Sequence, residues 1–208
     1  LVNFECGDNS IAGTLDLTGK SLLQTLKCNN NQIEQFVLAG CDSLTYLDCS
    51  TNNTTLTSLD LSDCPAIYDV YCQTNNLMTS VNLSNCSQLH QFYAADSGIT
   101  SIDFSDCTSI ANINFYDNDL TSLTIDNLDS LTYVELSYGP SLTSVSITNC
   151  SAFDAISAHH SGITSLDLSS NPSLAAVNIQ GNPLTDSSLD SVFSQLPILS
   201  GTIYISGT

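Results

Sequence analysis

The sequence contains no Arg and no Trp, and only two Lys, Lys20 and Lys27. Against these two cations stand 18 Asp and 3 Glu, for a formal net charge of −19. Without a basic patch, binding to a nucleic-acid backbone has no electrostatic basis. Docking on an anionic membrane surface fails for the same reason. No apolar run approaches the roughly 18 residues that a spanning helix needs, so no membrane insertion is expected. The chain opens Leu1-Val2-Asn3, with neither an initiator Met nor a signal peptide, and reads as a fragment of something longer. Charge itself is scarce, at 11% of residues, which is not the composition of a polyelectrolyte tail. The hydrophobic share of 42% is enough to bury a sizeable core and argues against disorder.

What is abundant is periodic. Ser, Thr and Asn make up 72 of 208 residues, and there are nine cysteines. Cys6, Cys28, Cys49 and Cys72 are separated by 22, 21 and 23 residues. Cys41, Cys64, Cys86 and Cys107 are separated by 23, 22 and 21, and Cys150 lies 43 further on, two more periods. A fixed period of this length marks a repeat architecture.

The unit Leu44-Thr-Tyr-Leu47-Asp-Cys49-Ser-Thr-Asn52 has the form LxxLxCxxN. It recurs in nine copies that begin at Leu1, Leu23, Leu44, Ile67, Leu89, Ile110, Leu131, Phe153 and Leu174. Between the copies lies a second motif, LTSLDLSxC, clearest in Leu56–Cys64, Met78–Cys86 and Leu142–Cys150. Each 21–23-residue repeat therefore holds two short alternating segments, the pattern of half-buried strands. Asn, Gly, Pro and other turn-forming residues separate them. The expected fold is a mainly β solenoid, about nine rungs each giving a strand to two parallel sheets. At about 4.8 Å per rung its body is roughly 40 Å long. Asn9, Asn31, Asn52, Asn75, Asn118 and Asn182 recur at one corner, where an Asn ladder can satisfy backbone groups that the turn leaves unpaired.

The pattern resembles the leucine-rich repeat family, and within it the bacterial IRREKO subtype, written LxxLxCxxNxLxxLDLxxN. The resemblance covers about residues 1–184. It implies a parallel sheet on one face, a second extended face in place of helices, and a recognition role on a cell surface or in a secreted protein. Departures are local. Ala94, Ala158, Phe115 and Leu136 replace the Cys, Leu128 interrupts the second Cys column, and Asn53-Thr54 lengthen one turn. Residues 185–208 break the pattern and read as a C-terminal cap. Asp186 caps a helix to about Leu196, with Leu189, Val192, Phe193 and Leu196 along one face; Pro197 ends it, and a strand follows over 201–206. The tail also resembles repeat ends of bacteriophage and bacterial surface proteins.

Cys, His and acids were weighed for chemistry. The Cys of LxxLxC alternates with Glu5, Lys27, Asp48 and Tyr71 and so points inward, as small apolar filler. Disulfides between neighbouring rungs and a zinc site are the alternatives, although the count is odd and no CxxC pair occurs. His90 lies three rungs from His159 and His160, about 14 Å, and adjacent strand residues such as His159 and His160 should diverge. No Ser or Cys has a His and an acid placed as a triad, so no enzymatic activity is expected. Asp63, Asn85, Asp106, Asn127 and Asn149 form a column expected to make Asx turns. Calcium bound along it, at Asp63 and Asp106, is the sharper alternative; no other cofactor is expected.

The tyrosines carry the functional signal. Seven of eight lie in first-motif strands, over rungs three to seven. Alternation places Tyr46, Tyr71, Tyr93, Tyr116 and Tyr133 on one outward face, with Tyr68 and Tyr138 at its rims and His90, Asp48, Asp69 and Glu135 among them. The LTSLDLS strands contain no Tyr, and their outward row of Ser58, Asp60 and Ser62 is nearly constant from rung to rung. The preferred expectation is a recognition module that binds a protein or a glycan through the Tyr-rich face. The alternative is a structural spacer or virion (phage) component that assembles into a larger structure, and ice binding by the Ser/Thr/Asp face is a third. Composition and the family resemblance point to an extracellular, cell-surface or virion location. Asn53, Asn82, Asn85 and Asn149 fall in N-x-S/T sequons, which so Asn- and Ser-rich a chain also produces by chance.

Overall fold

The computed structural model describes residues 1–52, 55–196 and 202–205. The Asn53-Thr54 insertion with its sequon, the Pro197 stop, and Gly201 and Ser206 at the ends of the last strand lie outside these residues. The first motif of every rung forms a three-residue strand, from Asn3–Glu5 in rung one to Ala176–Asn178 in rung nine. With Thr202–Tyr204 these strands make one ten-stranded parallel sheet. The register never slips within it. Leu47 pairs with Val70, Val70 with Phe92, and Ile113 with Val134, so the fourth position of each repeat meets its counterpart in the next rung. That position and the two Leu/Cys columns flanking it are buried from rung two onward, forming one continuous core.

The second sheet differs from expectation. It is divided into pieces of two, two and three strands, Ala12–Asp16 with Gln32–Val37, Ser58–Asp60 with Ser80–Asn82, and Ser122–Asp126 through Ser165–Asp167. Rung five contributes no strand to it. Phe104 stands where Leu61, Leu83 and Leu168 stand in other rungs, and its ring packs edge-on to Phe92 and Phe115, with centroids 5.9 and 6.1 Å away. Three aromatic rings thus fill a layer that aliphatic residues fill elsewhere. Beside them a cleft of about 400 Å³ opens between rungs five and six, over Ile102, Phe104, Ile125 and Leu128. The second face is therefore not an unbroken rank of hydroxyls, the arrangement that the ice-binding alternative presupposes.

The first corner is built by the Asn column. Asn52 is fully buried. Its Nδ2 donates to the carbonyls of Cys28 and Cys49, in its own rung and the one before, and its Oδ1 accepts from Ile33 N at 2.9 Å. Asn75 repeats this on Cys49 and Cys72 and accepts from Asn52 N. Asn31 and Asn182 do the same in their rungs, and Asn118 donates to Ala94 O and Tyr116 O while accepting from Ile99 N. Ser97 and Ser161 stand in by donating to Cys72 O and Leu136 O. Asn9 lies at the exposed end and bonds only to Cys6 O and Gly7 O. Immediately before this column every rung places one residue in the left-handed region, Asp8, Asn30, Thr51, Thr74, Asp96, Asp117, Tyr138, His160 and Gly181.

The other corner divides its labour in a way the sequence reading missed. Asn85, Asn127 and Asn149 take left-handed backbone, as do Gly19, Gly40 and Ser170 in the same column. The Asx turns come instead from the strand acids. Asp60 accepts from Ser62 N and Oγ, Asn82 from Ser84 N and Oγ, and Asp103 and Asp167 from Ser105 N and Ser169 N. The constant Ser-Asp-Ser row is thus scaffold chemistry, with its polar groups turned on one another.

The helix spans Asp186–Gln195 in place of a ninth second strand. Its N-cap is Thr185, not Asp186; Thr185 Oγ1 accepts from Ser188 N, and Asp186 sits in the first turn, where the helix dipole favours an acid. Val192 is buried, and Gln195 Oε1 accepts from Leu168 N, closing an open backbone donor of rung eight.

Replacing Asn52 by Ala leaves Ile33 N–H without its bond in a dry corner and takes from Cys28 O and Cys49 O one of the two side-chain bonds each accepts, the others coming from Asn31 and Asn75. At about 1–3 kcal/mol for the unsatisfied N–H and about 0.5–1.5 kcal/mol for each carbonyl bond lost, Asn52→Ala should cost at least ~2 kcal/mol in denaturant unfolding. Asn52→Ser should keep part of this, since Ser97 and Ser161 already serve in the same column. Asn9→Ala should stay within about 0.5 kcal/mol.

Candidate functional site

The outward positions of the first sheet bring the tyrosines together in two groups rather than one. Tyr46, Tyr71 and Tyr93 follow one another over rungs three to five, with ring centroids 5.4 and 5.2 Å apart and the last pair nearly parallel at 9°. Beside them, at the strand entrance, Tyr68 stacks on His90 at 4.8 Å and 3°. Three-residue strands in register, with rungs repeating at about the stacking distance of aromatic rings, make this possible. The second group runs through Tyr116, Tyr138, His159 and His160, with Tyr138 stacked on His160 at 5.4 Å and 9°. Tyr68, Tyr116, Tyr133 and Tyr138 are all more than a third exposed.

His159 and His160 do not diverge. Their Nδ1 atoms lie 3.0 Å apart, because the strand ends at Ser157 and His160 occupies the left-handed turn position. Strand alternation does not apply there. The signal lay in the column itself, where every other copy except Tyr138 carries Asp, Asn, Thr or Gly, residues of turns. Gly181 lies against the His160 ring, and a Cβ there would fall 2.9 Å from it.

The acids of this face play unequal parts. Asp48 Oδ1 accepts from Ser50 N and Oγ, so it is a turn former. Glu135 accepts from Ser137 N with one oxygen and from Tyr133 Oη with the other, at 2.8 and 2.7 Å. Burial and that carboxylate push the Tyr133 phenol up to about 12. Asp69 is different. Its Oδ1 is shielded from solvent with no partner, and burial raises its carboxyl above the usual value, opposed in part by His90. Gln73 Oε1 and His90 Nδ1 share that condition. Gln73 escaped the sequence reading, since an amide two places beyond Tyr71 carries no signal of its own.

Asp63 and Asp106 lie on the exposed rim of the second face, and Asp106 Oδ2 accepts from Asn85 N at 3.0 Å. Among the described residues no three His, Cys, Asp or Glu side chains converge as a metal site. Nor, among them, is any helix long and apolar enough to cross a membrane.

The cysteines form two columns of free thiols inside the stack, buried except for the half-buried Cys6. Cys28 Sγ donates to Asp48 O and Cys41 Sγ to Leu17 O, each reaching a neighbouring rung. Burial pushes the thiols of Cys64, Cys86 and Cys107 up to about 12 and raises those of Cys6, Cys28, Cys41, Cys49, Cys72 and Cys150 as well. None is held as a thiolate, so these columns present no activated nucleophile.

Two solved structures share this fold. The functional domain of InlJ from Listeria monocytogenes, described as including a cysteine ladder, matches with a TM-score of 0.51 at 24% identity, over 89% of this chain and 50% of that one. The internalin InlF from Listeria monocytogenes matches with a TM-score of 0.52 at 18% identity, over 95% of this chain and 69% of that one. This chain has the leucine-rich repeat fold. It spans half the length of the InlJ chain. No protein-family model and no curated protein matches the sequence. In this chain too, cysteines stack in columns from rung to rung.

The buried columns set a clear expectation for thiol labelling. In native protein an alkylating reagent should modify Cys6 quickly and the other eight cysteines slowly, at the rate of unfolding. In denaturant all nine should react at once. Mass spectrometry of the labelled chain checks this, and rapid native labelling of Cys49 or Cys72 would contradict the burial described.

Proposed function

We propose that this solenoid is a non-enzymatic recognition module, an IRREKO-type leucine-rich repeat that works outside the cell and binds a macromolecular partner through the first sheet. The observation that carries the reading is the contrast between its two faces. The second face is nearly constant, and its Asp and Ser side chains bond to one another. The first varies from rung to rung and displays ordered aromatic rings over rungs three to eight. Tyr offers large contact area at low conformational cost and is enriched at binding hot spots. Stacking fixes the rings before a partner arrives, which lowers the ordering cost of binding. The Listeria internalins of the same fold are consistent with this reading.

The test is a screen of the purified chain against a glycan array and an array of secreted and surface protein ectodomains. Tyr71→Ala with Tyr93→Ala should weaken every specific hit by roughly 30-fold or more, in line with two hot-spot tyrosines. Stability should fall by only about 1 kcal/mol per site, because both rings are half outside the core. Hits that survive the double substitution would refute the reading, and an absence of any hit would favour the spacer alternative.

A further inference from the structure

Among the described residues, the buried side-chain polar atoms without a partner are Asp69 Oδ1, Gln73 Oε1 and His90 Nδ1. All three belong to rungs four and five of the first face. Asp69 and Gln73 stand two places either side of Tyr71, and their side chains share its face by alternation. His90 is the ring stacked on Tyr68. Buried polar groups in native proteins are nearly always satisfied, so three exceptions within two adjacent rungs call for a cause. The carboxylate oxygen and the amide oxygen only accept hydrogen bonds, and His90 Nδ1 accepts when the ring is protonated at Nε2. The group that completes Asp69 Oδ1 is therefore a donor.

The chain cannot supply it. Lys27 is paired with Glu5 at 3.0 Å in rungs one and two, and no Lys or Arg follows Lys27. Apart from the histidines, the ionisable groups that can carry a full charge at neutral pH in rungs three to nine on or beside this sheet are acids, Asp48, Asp69, Asp96, Asp117, Glu135 and Asp154. The rings of Tyr68, Tyr71 and Tyr93 offer faces that attract a cation. A guanidinium is planar, stacks on aromatic rings and carries five donors, whereas a sugar brings hydroxyls and no charge to match the acid field.

We propose that Asp69, framed by Tyr68, Tyr71, Gln73 and His90, is the seat of an arginine side chain, so that the partner of the first face is a basic protein segment. This rests on the first face being the recognition surface. The raised carboxyl of Asp69 fits it. A buried acid whose folded value lies above its unfolded value destabilises the free protein as pH rises through that folded value, and a bound guanidinium removes the penalty.

The experiment uses the full chain, an alternating Arg-Gly peptide, and the same peptide with citrulline at each Arg, which keeps the shape and loses the charge. Tyr fluorescence reports binding, since there is no Trp. The Arg peptide should bind about tenfold or more tighter than its citrulline counterpart. Asp69→Asn should remove most of that difference while raising the melting temperature at neutral pH, an increase that a purely structural acid would not give. Asp190→Asn, on the helix at the far end, controls for general attraction to a chain of charge −19 and should change affinity by less than about twofold. Equal loss in both variants, or none in Asp69→Asn, overturns the proposal. An array ligand lost on Tyr71→Ala with Tyr93→Ala yet kept by Asp69→Asn overturns the arginine seat and leaves the recognition face standing. A ligand lost in neither overturns both.

Discussion

Everything in this solenoid hangs on the backbone groups of one corner. A coil that turns every 21–23 residues interrupts its own β ladder at each turn, and the interruption is buried. The Asn column resolves it with a single side chain that donates to carbonyls in two successive rungs and accepts from the rung before. Because each Asn bridges rungs, its position cannot drift relative to the neighbouring copy. The fixed register of the ten-stranded sheet and the left-handed residue that precedes the column in every rung are parts of the same constraint. The outward positions of the first sheet escape it, and there the sequence varies.

Cysteine follows from the same geometry. The carbonyls that the Asn side chains reach belong to the Cys column, so those side chains point into a narrow layer where a small apolar group fits. Ala94, Ala158, Phe115 and Leu136 serve there too, at different volumes. The core tolerates this if adjacent layers compensate, and rungs five and six show the limit. With Phe92, Phe104 and Phe115 together, the second face loses a strand and opens a cleft.

How much of this is legible in the sequence depends on whether a residue's role repeats. The rung count, the ten-fold sheet short of its last strand, the buried Cys columns and the Asn corner all recur at fixed spacing, and periodicity exposes them. The break at rung five does not recur; it arises from the summed volume of three rings that are far apart in sequence. The convergence of His159 and His160 was hidden because strand alternation was carried two residues beyond the strand's end. The Asp60 and Ser62 columns were visible as a pattern, but only hydrogen bonding shows that they cap turns. At the candidate site, the aromatic positions were readable from alternation. Their division into two groups was not, since that depends on which rings reach across from rung to rung.

The two faces differ most in how completely they satisfy their own polar groups. The second face bonds Asp60 to Ser62 and Asn82 to Ser84, and Asn82 also reaches back to Asp60. Such a surface gains little by meeting a partner, because association would have to break bonds already made. The first face makes similar turn bonds at Asp48 and Glu135, yet leaves Asp69, Gln73 and His90 unpaired beside ordered rings. Leaving them so costs the free protein stability, which the repeated Asn ladder can spare. A partner that completes those bonds recovers the loss only in the complex. A polar deficit placed among rigid aromatic anchors therefore favours the bound state twice, through hydrogen bonds made on association and through rings that need no ordering.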